Sequence, residues 1–177
     1  MAKQYPFNGN TKFKFVESIS YADVPKKLLQ DNGVNIAIDG LTFNDDDLPG
    51  VKYTNSYVKD FGYSLIVANT NTSNRVEDFS GAKIGILAGD PDVRAFVENA
   101  FPSSKIVELS DEADANGKWI VGHIYTGKVD AVVYDYPFAV AEVENTNLKF
   151  AITKIKGSDI EYRIGVRADD VNMMKTL

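Results

Sequence analysis

"KIGILAGDPDVRAFVENAFPSSKIVEL", residues 83–109, opens and closes on short apolar runs with an amphipathic stretch between them. "KIGIL" reads as a strand, the segment "DVRAFVENAF" sets Val93, Phe96, Val97 and Phe101 on one helical face, and "KIVEL" reads as a strand again. The pattern then repeats. A helix is predicted around Lys118 to Tyr125, followed by the strand "VDAVVYD" (129–135), a short helix from Pro137, and "LKFAITKI" (148–155), in which Leu148, Phe150 and Ile152 alternate. Strands this apolar, alternating with helices, predict a mostly parallel sheet covered on both faces. Residues 80–156 therefore read as one compact α/β unit.

Working outward, "KFKFV" (12–16) reads as a strand, "YADVPKKLLQDNG" (21–33) as a helix ending at Gly33, and "VNIAI" (34–38) as a strand. Together they predict a second, smaller unit of the same type. "FGYSLIVAN" (61–69) and "IEYRIGVRA" (160–168) lack helical periodicity and flank the larger unit, as two crossings between lobes would. The sequence has no internal repeat and no low-complexity segment, and "NTNTSN" (69–74) reads as a polar turn or loop.

Composition narrows the function classes. The chain has 177 residues, 44% of them hydrophobic and 25% charged, which suits a globular protein able to bury a core. Nineteen Lys and Arg against 25 Asp and Glu give a net charge of −6, and no basic run is long enough to follow a phosphate backbone, so no nucleic-acid partner is expected. No stretch approaches the roughly 18 apolar residues of a membrane helix, and "MAKQYPFNGNTKFKF" lacks the apolar core of a signal peptide. With no cysteine, disulfides and thiol-bound metals are excluded.

One feature of the larger unit needs a reason. "KVDAVVYDYPFAVA" (128–141) presents Asp135 between Tyr134 and Tyr136 at the carboxyl end of its strand. Ligands of open parallel sheets bind beyond that end, where a carboxylate flanked by phenols suits an ammonium. The alternative is that Asp135 caps the helix starting at Pro137. Both readings stand on the sequence alone.

Four segments give the chain a likeness to a known family. "GVNIAIDGLTFNDDDLPGVKYTNSYV" carries a strand, a Gly-x-Thr turn and the later Tyr53-Thr54-Asn55-Ser56-Tyr57. "VEDFSGAKIGILAGD" leads into the second lobe, "GKVDAVVYDYPFAVA" follows an Asp-Ala-Val-x-x-Asp-x-Pro pattern, and "EYRIGVRADD" forms a return strand. In these segments, over roughly residues 20–170, the chain resembles the bacterial extracellular solute-binding proteins of family 3, with the type II periplasmic binding protein fold. The resemblance implies an α/β, two-lobed architecture. Each lobe is a mostly parallel sheet flanked by helices, and two hinge strands join them. It places lobe 1 at residues 1–65 and 161–177, and lobe 2 at 66–160.

The same resemblance implies a non-enzymatic protein without cofactor or metal that captures a small solute between its lobes. An ABC transporter permease is the implied partner, and a periplasmic or extracytoplasmic location is implied although this chain shows no signal peptide. The residue in the place of Asp135 binds a ligand amine, since a buried ammonium needs a charge partner. Tyr21, at the start of the first helix, packs on the ligand. Gly40 and Thr42 of the Gly-x-Thr turn, Asp47, Tyr57 and Asp90 complete the candidate ligand contacts. Tyr5 and Phe7 in "QYPFNG" look like the family's aromatic-Pro loop, but they stand too near Lys12 for the usual intervening helix.

The departures are as informative. The arginine that grips an amino acid's α-carboxylate is expected seven residues after the turn glycine, and that position is Asp47. The second-lobe turn, where the family has threonine, reads Gly89-Asp90-Pro91-Asp92, a sequence suited to capping its own helix. These acids favour an amine-containing, neutral or cationic solute. Dehydratase-like chemistry on the same fold is the weaker alternative, because it needs a cationic grip on carboxylates. A ligand-free, engineered or truncated derivative is the other. "NDDDLPG" (44–50) reads as an acidic turn without calcium-loop spacing. His123 lies beside Trp119 and Ile120 with no ligand-spaced partner and reads as a packed helix residue. The family's first strand and helix are shortened before Phe13 and its closing helix is missing after Leu177, so lobe 1 is expected to be incomplete, with pairing through its open edge as a consequence.

Overall fold

The computed structural model describes residues 12, 14–18, 20–30, 33–110 and 112–177; Tyr5 and Phe7 lie outside them. The chain divides into two compact units. One takes the described residues up to Lys59 together with Glu161–Leu177, and the other is Asp60–Ile160.

The first unit holds a 3-10 turn at Tyr21–Asp23, the single-turn helix α1 (Lys27–Gln30), strands β1 (Ala37–Leu41) and β2 (Val51–Tyr53), and β3 (Val58–Phe61), which runs across the boundary. Its last elements are β9 (Ile160–Arg167) and α5 (Val171–Thr176). β9 is the centre of the sheet: β1 and β2 flank it, both antiparallel, and β3 also pairs with it. The core beneath is Leu28, Ala37, Leu41, Phe43, Val51 and Tyr53.

The second unit contains β4 (Tyr63–Ala68), a 3-10 turn at Val76–Phe79, β5 (Lys83–Leu87), α2 (Pro91–Ala100), β6 (Lys105–Leu109), α3 (Ile120–Tyr125), β7 (Ala131–Asp135), α4 (Tyr136–Val143) and β8 (Leu148–Ile152). The strand order is β6-β5-β7-β4-β8. β5 is parallel to both β6 and β7. β4 is antiparallel to β7 and β8. Both faces are buried, as the continuous apolar strands require. Leu65, Val67, Ile84, Ile86 and Val133 pack against Val93 and Val97 of α2, while Ile66 and Val132 pack against Ile120 and Ile124 of α3 and Ala139 of α4.

The α/β class and flanking helices match the sequence reading, but strand direction departs from it. Parallel pairing is confined to β6, β5 and β7, the strands that helices separate in the chain. β4 is antiparallel to β7 and β8, and β1 and β2 are antiparallel to β9.

Three local expectations change. "KFKFV" forms no strand over Lys12 and residues 14–16, with Phe13 outside the description. Phe15 is 88% exposed; alternation selects a face, but a strand also needs a ladder neighbour. The helix read over 21–33 is broken between the 3-10 turn and α1, where Pro25 supplies no N–H. The strand read as 34–38 begins at Ala37 instead, since the carbonyl of Val34 accepts from the Arg167 guanidinium and not from a ladder.

Candidate functional site

Within the first unit, the loop leaving β1 gathers several of the sequence candidates. The backbone N–H of Thr42 donates to the Tyr21 phenol oxygen at 2.9 Å, and the two hydroxyls lie 3.0 Å apart. The Tyr21 ring stacks on Phe43 with centroids 5.1 Å apart. Gly40 is buried in the left-handed region at φ 58, a conformation that favours glycine. Burial raises the Tyr57 pKa above the usual phenol value, opposed by the nearby Gly40 backbone and aided by the Asp39 carboxylate. Tyr21 and Thr42 thus form one hydrogen-bonded pair, and Tyr57 lies near the Gly40 backbone.

Asp47 serves its own turn. The Asn44 N–H donates to its carboxylate, and its own N–H donates to the Asn44 carbonyl at 3.0 Å. Asp45 accepts from Lys52 Nζ and from the Tyr53 N–H, each at 2.9 Å, and the Lys52 contact leads in lowering its pKa. "NDDDLPG" is therefore an exposed acidic turn with internal bonding. Among the described residues no group of three or more His, Cys, Asp or Glu side chains is placed to hold a metal.

In the second unit Asp90 is the N-cap of α2. Its Oδ1 accepts the N–H groups of Asp92 at 3.0 Å and Val93 at 3.1 Å, with Pro91 at the first helical position. Its pKa is nevertheless raised, chiefly by burial, because desolvation outweighs the Val93 bond. The capping reading of Gly89-Asp90-Pro91-Asp92 holds in the geometry.

Asp135 differs. It ends β7 in register with Tyr63 of β4 and is 9% exposed. It occupies the N-cap position of α4, yet its side chain makes no capping hydrogen bond. Pro137 near the start of the helix removes an N–H that a cap would take, and the Tyr136 N–H donates instead to the Gly62 carbonyl at 3.0 Å. The flanking tyrosines belong to other clusters. Tyr134 packs edge-on against Trp119 at 5.2 Å and stacks on Phe138 at 5.8 Å, while Tyr136 packs on Phe150 at 5.8 Å. His123 is half-buried, edge-on to Trp119 at 6.2 Å, with Nε2 3.4 Å from the Ser110 carbonyl.

Three residues escaped the sequence reading. Glu142 is buried on α4, where its Oε2 accepts the N–H groups of Trp119 at 3.2 Å and Ile120 at 3.1 Å, so it caps α3 from a neighbouring helix. Its pKa is raised, burial outweighing those bonds. The only signal was a lone acid in an apolar helix. Tyr53 carries a buried phenol oxygen without a hydrogen-bond partner among the described residues. Arg163 of β9 bridges Asn44 Oδ1 at 2.6 Å and Glu161 at 3.2 Å, a link across 119 positions that no local pattern announces.

The sequence matches no protein-family model and no curated protein sequence. Solved structures do match. The amino acid ABC transporter substrate-binding protein AbpA from Streptococcus pneumoniae, bound to L-arginine, superposes with a TM-score of 0.74 at 21% identity, over 90% of this chain and 65% of its own. A truncated, arginine-bound form of ArgBP from T. maritima gives 0.71 at 20% identity, over 90% and 72%. The cysteine-binding protein of Campylobacter jejuni gives 0.70 at 17% identity, over 89% and 60%. The chain has the type II periplasmic binding protein-like fold of these substrate-binding proteins. It spans under two thirds of the length of AbpA.

Proposed function

We propose that the chain is a solute-binding protein for a small amine-containing solute, neutral or cationic, serving an ABC-type importer outside the cytoplasm and performing no catalysis. The observation that carries this reading is Asp135: a buried carboxylate at the carboxyl end of β7, in the helix-start position, whose side chain does no capping. A carboxylate kept largely out of water at the carboxyl end of a strand is suited to a cationic group. The shared fold with proteins that bind arginine and cysteine supports the solute class. The charge preference rests on Asp47, which stands where the resemblance expects the carboxylate-gripping arginine. Tyr21, Gly40, Thr42 and Tyr57, with Asp90, are the further proposed contacts.

A thermal-shift screen against arginine, lysine, putrescine, glutamine and glutamate, followed by calorimetry, tests the proposal, because a ligand of the folded state raises the melting temperature by mass action. A cationic or neutral amine is expected to shift it, and Asp135→Asn is expected to remove the shift. Tight glutamate binding, or equal affinity in Asp135→Asn, would overturn it.

A further inference from the structure

Helix α4 is turned inside out for a helix at a protein surface. Its acid, Glu142, is buried and caps α3, while Tyr136, Pro137, Phe138, Val140 and Ala141 are exposed. Tyr136 is 37% exposed, Phe138 39% and Val140 40%. A surface helix ordinarily turns its polar residues to water, and a helix apolar all round is ordinarily covered. α2, packed on the same sheet, keeps to that rule, with Val93 and Val97 inward and Asp92, Glu98 and Asn99 among its exposed residues. The apolar face of α4 also continues sideways. Tyr136 packs on Phe150 of β8, the strand at the end of the sheet, and Phe138 stacks on Tyr134. A contiguous apolar face of this kind marks an interaction surface.

The pattern along the face points to its occupant. Tyr136 and Val140 stand four residues apart, and the exposed Glu144 follows at the C-cap, four further on. Residues at that spacing form a ridge of the kind that interdigitates in the commonest class of helix packing. This ridge is complementary to itself when reversed. A two-fold axis at Val140 sets the two valines together and brings each Tyr136 to Glu144 of the other copy. The phenol then donates to the carboxylate, and the carboxylate lies at the positive end of the other helix. The same acid and the net charge of −6 disfavour an anionic lipid surface. We propose that α4 is a homodimerisation helix, packing antiparallel on α4 of a second copy of this chain about a two-fold axis at Val140.

The contact needs neither Asp135 nor a ligand, so its test separates from that of the proposed function. A single short helix and its flanks lie at the small end of interfaces, below about 1,200 Å², and the dimer is expected to be weak. Sedimentation velocity of the full chain from about 5 to about 500 μM should show a monomer–dimer equilibrium, and Val140→Lys, with the far-UV spectrum of the parent, should weaken it about tenfold or more. The chain has no cysteine, which makes position 140 open to a covalent probe. Under mild oxidation Val140→Cys should form a disulfide-linked dimer far faster than Glu98→Cys on the exposed face of α2. A parent that stays monomeric throughout, a dimer unchanged in Val140→Lys, or equal cross-linking of the two cysteine variants would overturn the proposal. Should Val140→Lys not fold, Glu144→Lys reads the same axis by setting a cation at the positive end of the other helix. A loss of about threefold or more supports the proposal, and unchanged dimerisation overturns it.

Discussion

The Ser158 hydroxyl accepts the backbone N–H of Tyr63 at 2.9 Å across 95 positions of sequence, and donates in turn to the Ile155 carbonyl at 2.6 Å. The Ile155 N–H closes the set on the Tyr63 carbonyl at 2.8 Å. This joins the start of β4 to the 155–158 turn so closely that Gly62 has no room for a side chain. A Cβ there would stand 1.9 Å from the Ser158 carbonyl oxygen and 2.3 Å from its hydroxyl.

Gly62→Ala is therefore expected to destabilise the protein by about 3 kcal/mol, the upper range for overpacking against backbone. Ser158→Ala, which leaves the Tyr63 N–H unpaired, should cost about 1–3 kcal/mol. Urea denaturation of both variants checks the order.

Glu142 makes stability depend on pH with a definite sign. Its folded pKa lies above the ordinary 4.5, so the contribution is fully present below the unfolded value and is lost as pH rises through the folded one. Glu142→Gln keeps an oxygen for the Trp119 and Ile120 N–H groups without the charge. The melting temperature of Glu142→Gln minus that of the parent is expected to grow more positive from pH 4 to pH 7. A difference independent of pH would refute this. Glu142→Ala leaves two N–H groups unpaired and should be destabilised at both pH values.

Asp90→Ala should cost about 1 kcal/mol by uncapping α2, and Asp90→Asn or Asp90→Ser should restore most of it. Thermal melts of the three variants decide. If Asp90→Ala melts with the parent, the bonds to Asp92 and Val93 contribute nothing to stability.

Asp135→Asn should remain folded, with the far-UV spectrum of the parent, because the first N–H of α4 is held by Gly62. A collapse of the spectrum would show that the charge itself holds the strand end.

The stretch from 83 to 135 was legible in the sequence because its strands and helices alternate and each satisfies a local rule: Val93 and Val97 face the core at helical spacing, and Asp90-Pro91 starts the helix. Strand direction was not legible, since β9 meets β1 and β2 through contacts more than a hundred residues apart that leave no local period. "KFKFV" misled for the same reason, having alternation without a ladder partner. Of the candidate residues, Tyr21 and Thr42 meet through hydrogen bonds that sequence spacing does not encode. The buried Glu142 inverts the rule that a helix turns its acid to water, because two N–H groups of another helix outbid solvent for it.

The bond from Tyr136 N–H to the Gly62 carbonyl also bears on how this molecule can change over generations. Helix initiation at α4 is written into main chain, which no point substitution at position 135 edits directly. Mutational drift at that position can exchange an acid for an amide or a hydroxyl, and so alter what the strand end recognises, while the helix beside it starts at the same residue.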